Sequence, residues 1–91
     1  MATFAVIGTG NPAAIKQAIV AQYGANHYEF ASYAWFVQDA GTTKDVADKL
    51  GITKGDNGVQ GVVVRFEAYS GRAAATAWTW IAGFPGTVPN G

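Results

Sequence analysis

The sequence predicts an α+β fold, and three observations lead to it. Short apolar or alternating runs have the length of strands. Two stretches of helical spacing open on capping residues and close on glycine. Along the chain these segments follow one another as strand, helix, two strands, helix, strand. That order is the split βαβ pattern of ferredoxin-like domains, here with an extra C-terminal helix.

Residues 3–8 (Thr-Phe-Ala-Val-Ile-Gly) are an apolar run ending in glycine, the signature of a buried strand. Asn11-Pro12 then reads as an N-cap followed by proline at the first helical position. Ile15, Ala18, Ile19 and Gln22 continue at helical spacing and Gly24 supplies the stop, which predicts a helix over 12–23. The aromatic stretch 27–38 exceeds one average strand, so it divides near Ala31–Ser32 into two. Thr42-Thr43-Lys44-Asp45 has the form of a capping box with aspartate in the third position, and Val46, Ala47 and Leu50 follow as a short apolar stripe, giving a helix over 43–50.

Residues 53–61 have loop composition. From Val62 to Tyr69 the chain alternates, with Val62, Val64, Phe66 and Ala68 on one face and Val63, Arg65, Glu67 and Tyr69 on the other, so one face is buried and the other semi-polar. Ser70-Gly71 caps a last helix over 72–82, striped by Ala74, Ala77, Trp78 and Ile81. The domain is expected to span 1–82. Residues 83–91, with two prolines and three glycines, form an extended or disordered tail. The first two helices are expected on one face of a four-stranded sheet of order 4-1-3-2, and the other face then has no helical cover unless the last helix folds across part of it.

Charge and composition narrow the function. Charged residues make up 13% of the chain, against about 25% in an average domain. A surface so poor in charge hides apolar area against a partner, and a second copy is the simplest one. In the third strand either Tyr33, Trp35 and Val37 or Ala34 and Phe36 face away from the helices, so an aromatic points outward in either register. The expected interface therefore draws on Tyr33, Trp35 and Val37 and on the semi-polar set Val63, Arg65, Glu67 and Tyr69. Six basic residues balance six acidic ones without a cluster, which disfavours nucleic acid. No apolar run reaches the ~20 residues of a bilayer span. The absence of cysteine and of a positively charged leader makes a cytoplasmic protein the expectation.

The sharpest motif is Gly8-Thr9-Gly10-Asn11-Pro12-Ala13, a G-x-G-x-x-A between a strand and a helix, with Glu29 about twenty residues on. It has the form of a dinucleotide fingerprint, but the next segment is a hairpin rather than a second crossover. The favoured reading is a tight turn into a proline-started helix, without a cofactor. Topology places Gly8, Thr9, Gly10 and Asn11 at one pole of the sheet with Ser32, Asp56 and Asn57, the preferred place for any small ligand. Asp56-Asn57 lies in a glycine-flanked loop that lacks the ligand spacing of a calcium site and is explained by turn chemistry. His27, Asp39, Ser70 and Arg72 gather at the other pole. There Ser70, Gly71 and Arg72 at a helix start offer a weak anion site. His27 is the only histidine and Ser32 and Ser70 have no adjacent base, so no catalytic triad forms.

Through Ser32-Tyr33-Ala34-Trp35-Phe36-Val37, the threonine-capped helix and Trp78-Thr79-Trp80, the chain resembles small SinR-like proteins over roughly residues 3–81. These are distantly similar to the CRISPR-associated adaptation nuclease family. The resemblance implies a ferredoxin-like fold and, as the competing function, an enzyme acting on nucleotides or nucleic acid with a divalent metal. Nuclease-like members carry an aspartate just after the first strand. The corresponding stretch here is Gly8-Thr9-Gly10, with no carboxylate to hold an ion. The expectation is therefore a non-catalytic, metal-free, homo-oligomeric interaction module.

Overall fold

The computed structural model describes residues 1–66, together with the backbone of 68–69 and 88–89. Its first strand, β1 (Ala2–Gly10), runs two residues beyond the apolar stretch that predicts it. Helix α1 (Pro12–Tyr23) starts as its sequence dictates. Asn11 is the N-cap, its side chain accepting the Ala14 N–H, and proline follows at the first position. The aromatic stretch divides into β2 (His27–Ala31) and β3 (Ala34–Asp39) around a two-residue turn at Ser32-Tyr33. Helix α2 (Thr43–Lys49) opens on a full capping box, in which Thr42 Oγ1 accepts the Asp45 N–H at 3.2 Å and Asp45 Oδ2 accepts the Thr42 N–H at 2.8 Å. Strand β4 (Gln60–Phe66) begins inside the expected loop. Two short strands, β5 (Ala68–Tyr69) and β6 (Val88–Pro89), pair in parallel with each other.

Strands β1 to β4 form one antiparallel sheet of order β2-β3-β1-β4, the order expected from the element sequence. Phe4 and Val6 of β1 and Trp35 and Val37 of β3 are buried with Ile15, Ile19 and Tyr23 of α1, Val46 and Leu50 at α2, and Val59. This single cluster defines the helix side of the sheet. In α1 the buried stripe runs Ile15, Ile19, Tyr23, and the expected Gln22 is exposed. A spacing of four residues keeps the tyrosine in line with the two isoleucines, and the amide gains nothing from burial.

The core corrects the expected interface. Trp35 and Val37 are 1% and 0% exposed and lie under the helices, so they cannot meet a partner. Of the two registers open for β3, the one that holds turns Ala34 and Phe36 away from the helices. In β4 the pairing Val6↔Val63 and Phe4↔Arg65 places Val63 and Arg65 on the helix side, because directly opposed residues share a face. Val63 is half-buried against the core. The outward residues of β4 are instead Val62 and Val64, paired through β1 with Ile7 and Ala5. The helix over 72–82, the side chains of Glu67 and Tyr69, and the Ser70-Gly71-Arg72 site lie outside the described residues.

Candidate functional site

Three regions compete for a function. At the first pole, the chain brings together most of the residues that the sequence placed there. Pairing shifts register between Gly8 and Gly10, a bulge that ends the ladder next to α1. The Gly8 N–H donates to the Tyr33 carbonyl at 2.7 Å, which fixes the Ser32-Tyr33 turn beside it. Asn11 sits in the left-handed region at φ 49°, and its Nδ2 donates to the Asn57 carbonyl at 2.8 Å. Asn57, also left-handed at φ 57°, lies in a 3-10 turn with Asp56. Thr9 is exposed on the bulge. Both ends of the Asn11 amide are occupied, one capping α1 and the other tying the 56–58 turn to it. That is the chemistry of a fastened turn.

The second pole holds a cluster that the sequence did not reveal. Asp39, almost fully buried, accepts at Oδ2 from the Tyr23 hydroxyl at 2.9 Å and from Lys49 Nζ at 2.6 Å, and at Oδ1 from the Gly41 N–H at 2.7 Å. Burial pushes its carboxyl up, but Lys49, the Gly41 N–H and the Tyr23 hydroxyl together pull it further down, so it ionises below the usual range. Burial, then the hydrogen bond to Asp39, push the Tyr23 hydroxyl well above its ordinary value. Lys49 also lies 5.8 Å from the centre of the Tyr23 ring. The carboxylate is bonded by donors from α1, α2 and the β3–α2 loop, so it works as a clasp. His27 bonds instead to the Gly24 carbonyl. Among the described residues no group of three His, Cys, Asp or Glu side chains is placed to hold a metal ion.

The third region is the sheet face turned away from the helices. One row across it is Tyr28, Phe36, Ala5 and Val64, and the next is Ala34, Ile7 and Val62. Beside them Phe30 follows a register shift in β2 and turns its ring to this face, 5.1 Å from that of Phe36. Tyr28 stacks on Phe36 at 6.3 Å. Ile7 is 39% exposed, Phe30 47%, Val62 52% and Val64 47%. At one end Gln38 donates its amide to Thr3 Oγ1, both residues buried. No residue of these rows carries a charge.

Sequence reasoning missed Ile7, Phe30, Val62 and Val64 as outward residues. The signal was present in β4, where Val62, Val64 and Phe66 are the more apolar of its two alternating sets. Greater hydrophobicity suggested burial in the monomer, whereas the pairing with β1 turns Val62 and Val64 outward. Tyr33, expected in the interface, is 55% exposed in the β2–β3 turn.

On the opposite, helix side, Glu29 accepts from Trp35 Nε1 at 3.3 Å and pairs with Lys16 of α1 at 3.2 Å. The acidic residue of the apparent dinucleotide fingerprint is thus engaged in fastening α1 to β2. No helix among the described residues is long and apolar enough to cross a membrane. Comparison with protein-family models, with curated proteins and with solved structures finds no match to this chain.

Proposed function

We propose that this chain is a non-catalytic interaction module of ferredoxin-like fold that self-associates through the open face of its sheet. The observation that carries the reading is the exposed and uncharged surface formed by Ile7, Phe30, Val62 and Val64. Contiguous apolar area of this kind marks a contact surface. A face without charge has its simplest complement in another face without charge, and the second copy supplies one. The low charge content of the whole chain supports the same reading. The resemblance to SinR-like proteins is part of the proposal for the fold. Their nuclease-like relatives' activity is not, because Gly8-Thr9-Gly10 offers no carboxylate.

Light scattering at micromolar protein decides the matter. The unmodified chain is expected to be a dimer or larger. Val64→Asp is expected to be a folded monomer, since Val64 is half in water in the single chain, whereas a lone carboxylate buried at an apolar contact costs about several kcal/mol. A strict monomer for the unmodified chain overturns the proposal.

A further inference from the structure

The turn at the first pole carries a chemistry that its fastening role does not use. Where glycine follows asparagine, no side chain shields the glycine nitrogen, which can attack the asparagine Cγ. The N–Cγ bond forms as the Cγ–Nδ2 bond breaks. The glycine amide proton and the asparagine NH2 leave together as ammonia, and a succinimide ring remains. Water then opens the ring at either carbonyl, giving aspartate or isoaspartate. The chain has four asparagines. Asn11 precedes proline, which has no N–H to attack with. Asn26 precedes His27, whose side chain crowds the approach. Asn57 and Asn90 precede glycine, and the second of these pairs lies outside the described residues. Asn57 and Gly58 are both exposed, and nothing stands within 4 Å of where a Gly58 Cβ would be.

The native turn holds the two reacting atoms apart. In a five-membered imide the nitrogen and Cβ lie on the same side of the Cα–C bond. At ψ 27° the Gly58 nitrogen lies nearly opposite the Asn57 Cβ, and its N–H donates to the Gly55 carbonyl at 3.2 Å. Ring closure therefore needs the 57–58 peptide to rotate by more than a right angle. That rotation swings away the Asn57 carbonyl, which accepts from Asn11 Nδ2 at 2.8 Å. We propose that Asn57-Gly58 is a self-modification site, converting to aspartate and isoaspartate, and that the Asn11 amide sets its rate by holding the turn closed.

The products act back on the pole. Either one adds a negative charge to a chain whose formal charges balance. In isoaspartate the main chain runs through the former side chain and is one methylene longer. The carbonyl that Asn11 held becomes a free carboxylate, so the tie between the 56–58 turn and the start of α1 is remade or lost. Opening is local, because the reacting atoms and their restraints all lie within this turn and Asn11.

Cleavage after Lys54 and Arg65 releases residues 55–65, in which Asn57 is the only asparagine. The folded chain and a synthetic 55–65 peptide are held in mildly alkaline buffer at body temperature. Samples are digested together over time and resolved by chromatography and mass. The free peptide is expected to convert to both products, and Asn57 in the folded chain at least several-fold more slowly. Asn11→Asp keeps an N-cap acceptor and tolerates the left-handed backbone but loses the donor. Asn11→Gly fits that backbone with no side chain at all. Both variants are expected to speed conversion of Asn57 several-fold, with the Asn26 rate unchanged. Asp39→Ala, which loosens the fold at the other pole, is expected to leave the Asn57 rate as it is. No conversion in either the peptide or the Asn11 variants overturns the site. Conversion in the unmodified chain as fast as in the peptide, rates unmoved by both Asn11 substitutions, or equal acceleration by Asp39→Ala overturns the role of Asn11.

Discussion

The Asp39 carboxylate is held by Tyr23 from the end of α1, by Lys49 from the end of α2 and by the Gly41 N–H. Removing it leaves a buried hydroxyl and a half-exposed ammonium without their acceptor. Asp39→Ala is therefore expected to destabilise the fold by about 1–3 kcal/mol in urea titration, the range for losing charged hydrogen bonds at a site that water partly screens. The pH dependence has a definite sign. A carboxyl whose folded pKa lies below its unfolded value of about 3.9 stabilises above that pH. The contribution is lost as pH falls below about 4 and through the folded pKa. Wild type should weaken in that window more steeply than Asp39→Asn, and equal acid slopes would contradict the assignment. None of this clasp was legible in the sequence, since its members lie sixteen and ten residues apart in separate elements. The Thr42–Asp45 box was legible, because a cap needs only three residues of local chain.

At the scale of elements, the local signals located most boundaries and the pairing decided the faces. Asn11-Pro12 and the glycine after Tyr23 marked α1, and the Thr42 box marked α2. Alternation in β4 showed which residues share a face. It could not show which face the helices cover, because both sets contain valine, and only the pairing of Val63 with Val6 answers that. Backbone approach adds a constraint that alternation also hides. At Gly61 a Cβ would stand 2.7 Å from the Ile7 carbonyl oxygen, so the β1–β4 pairing at this point requires glycine. Gly61→Val is expected to lose well over 1 kcal/mol, with β4 displaced from β1. Faster amide exchange along β1 and β4, with β2 and β3 less affected, would be its signature. Unchanged exchange would show that the strands tolerate the side chain.

On the scale of the whole molecule, the charge-poor composition and the open sheet face describe one economy. Helices α1 and α2 bury one side of the sheet, and on the other side Val62 and Val64 are half in water. A chain of this length buries only roughly 60–65% of the surface its unfolded form exposes, so association has room to add stability. If the dimer forms through this face, folding and association are linked. Because the bound partner is the protein itself, a tenfold rise in concentration lowers the fraction of free folded chain by about the square root of ten. That adds about 0.7 kcal/mol per protomer above Kd. In a domain of this size such a gain raises the midpoint of thermal unfolding by about 3–6 °C. Melts of the unmodified chain at concentrations tenfold apart should show that rise, and Val64→Asp should melt at one temperature throughout. A midpoint independent of concentration in the unmodified chain would mean that the open face contributes nothing through a second copy. A rise that persists unchanged in Val64→Asp would place the contact elsewhere on the surface.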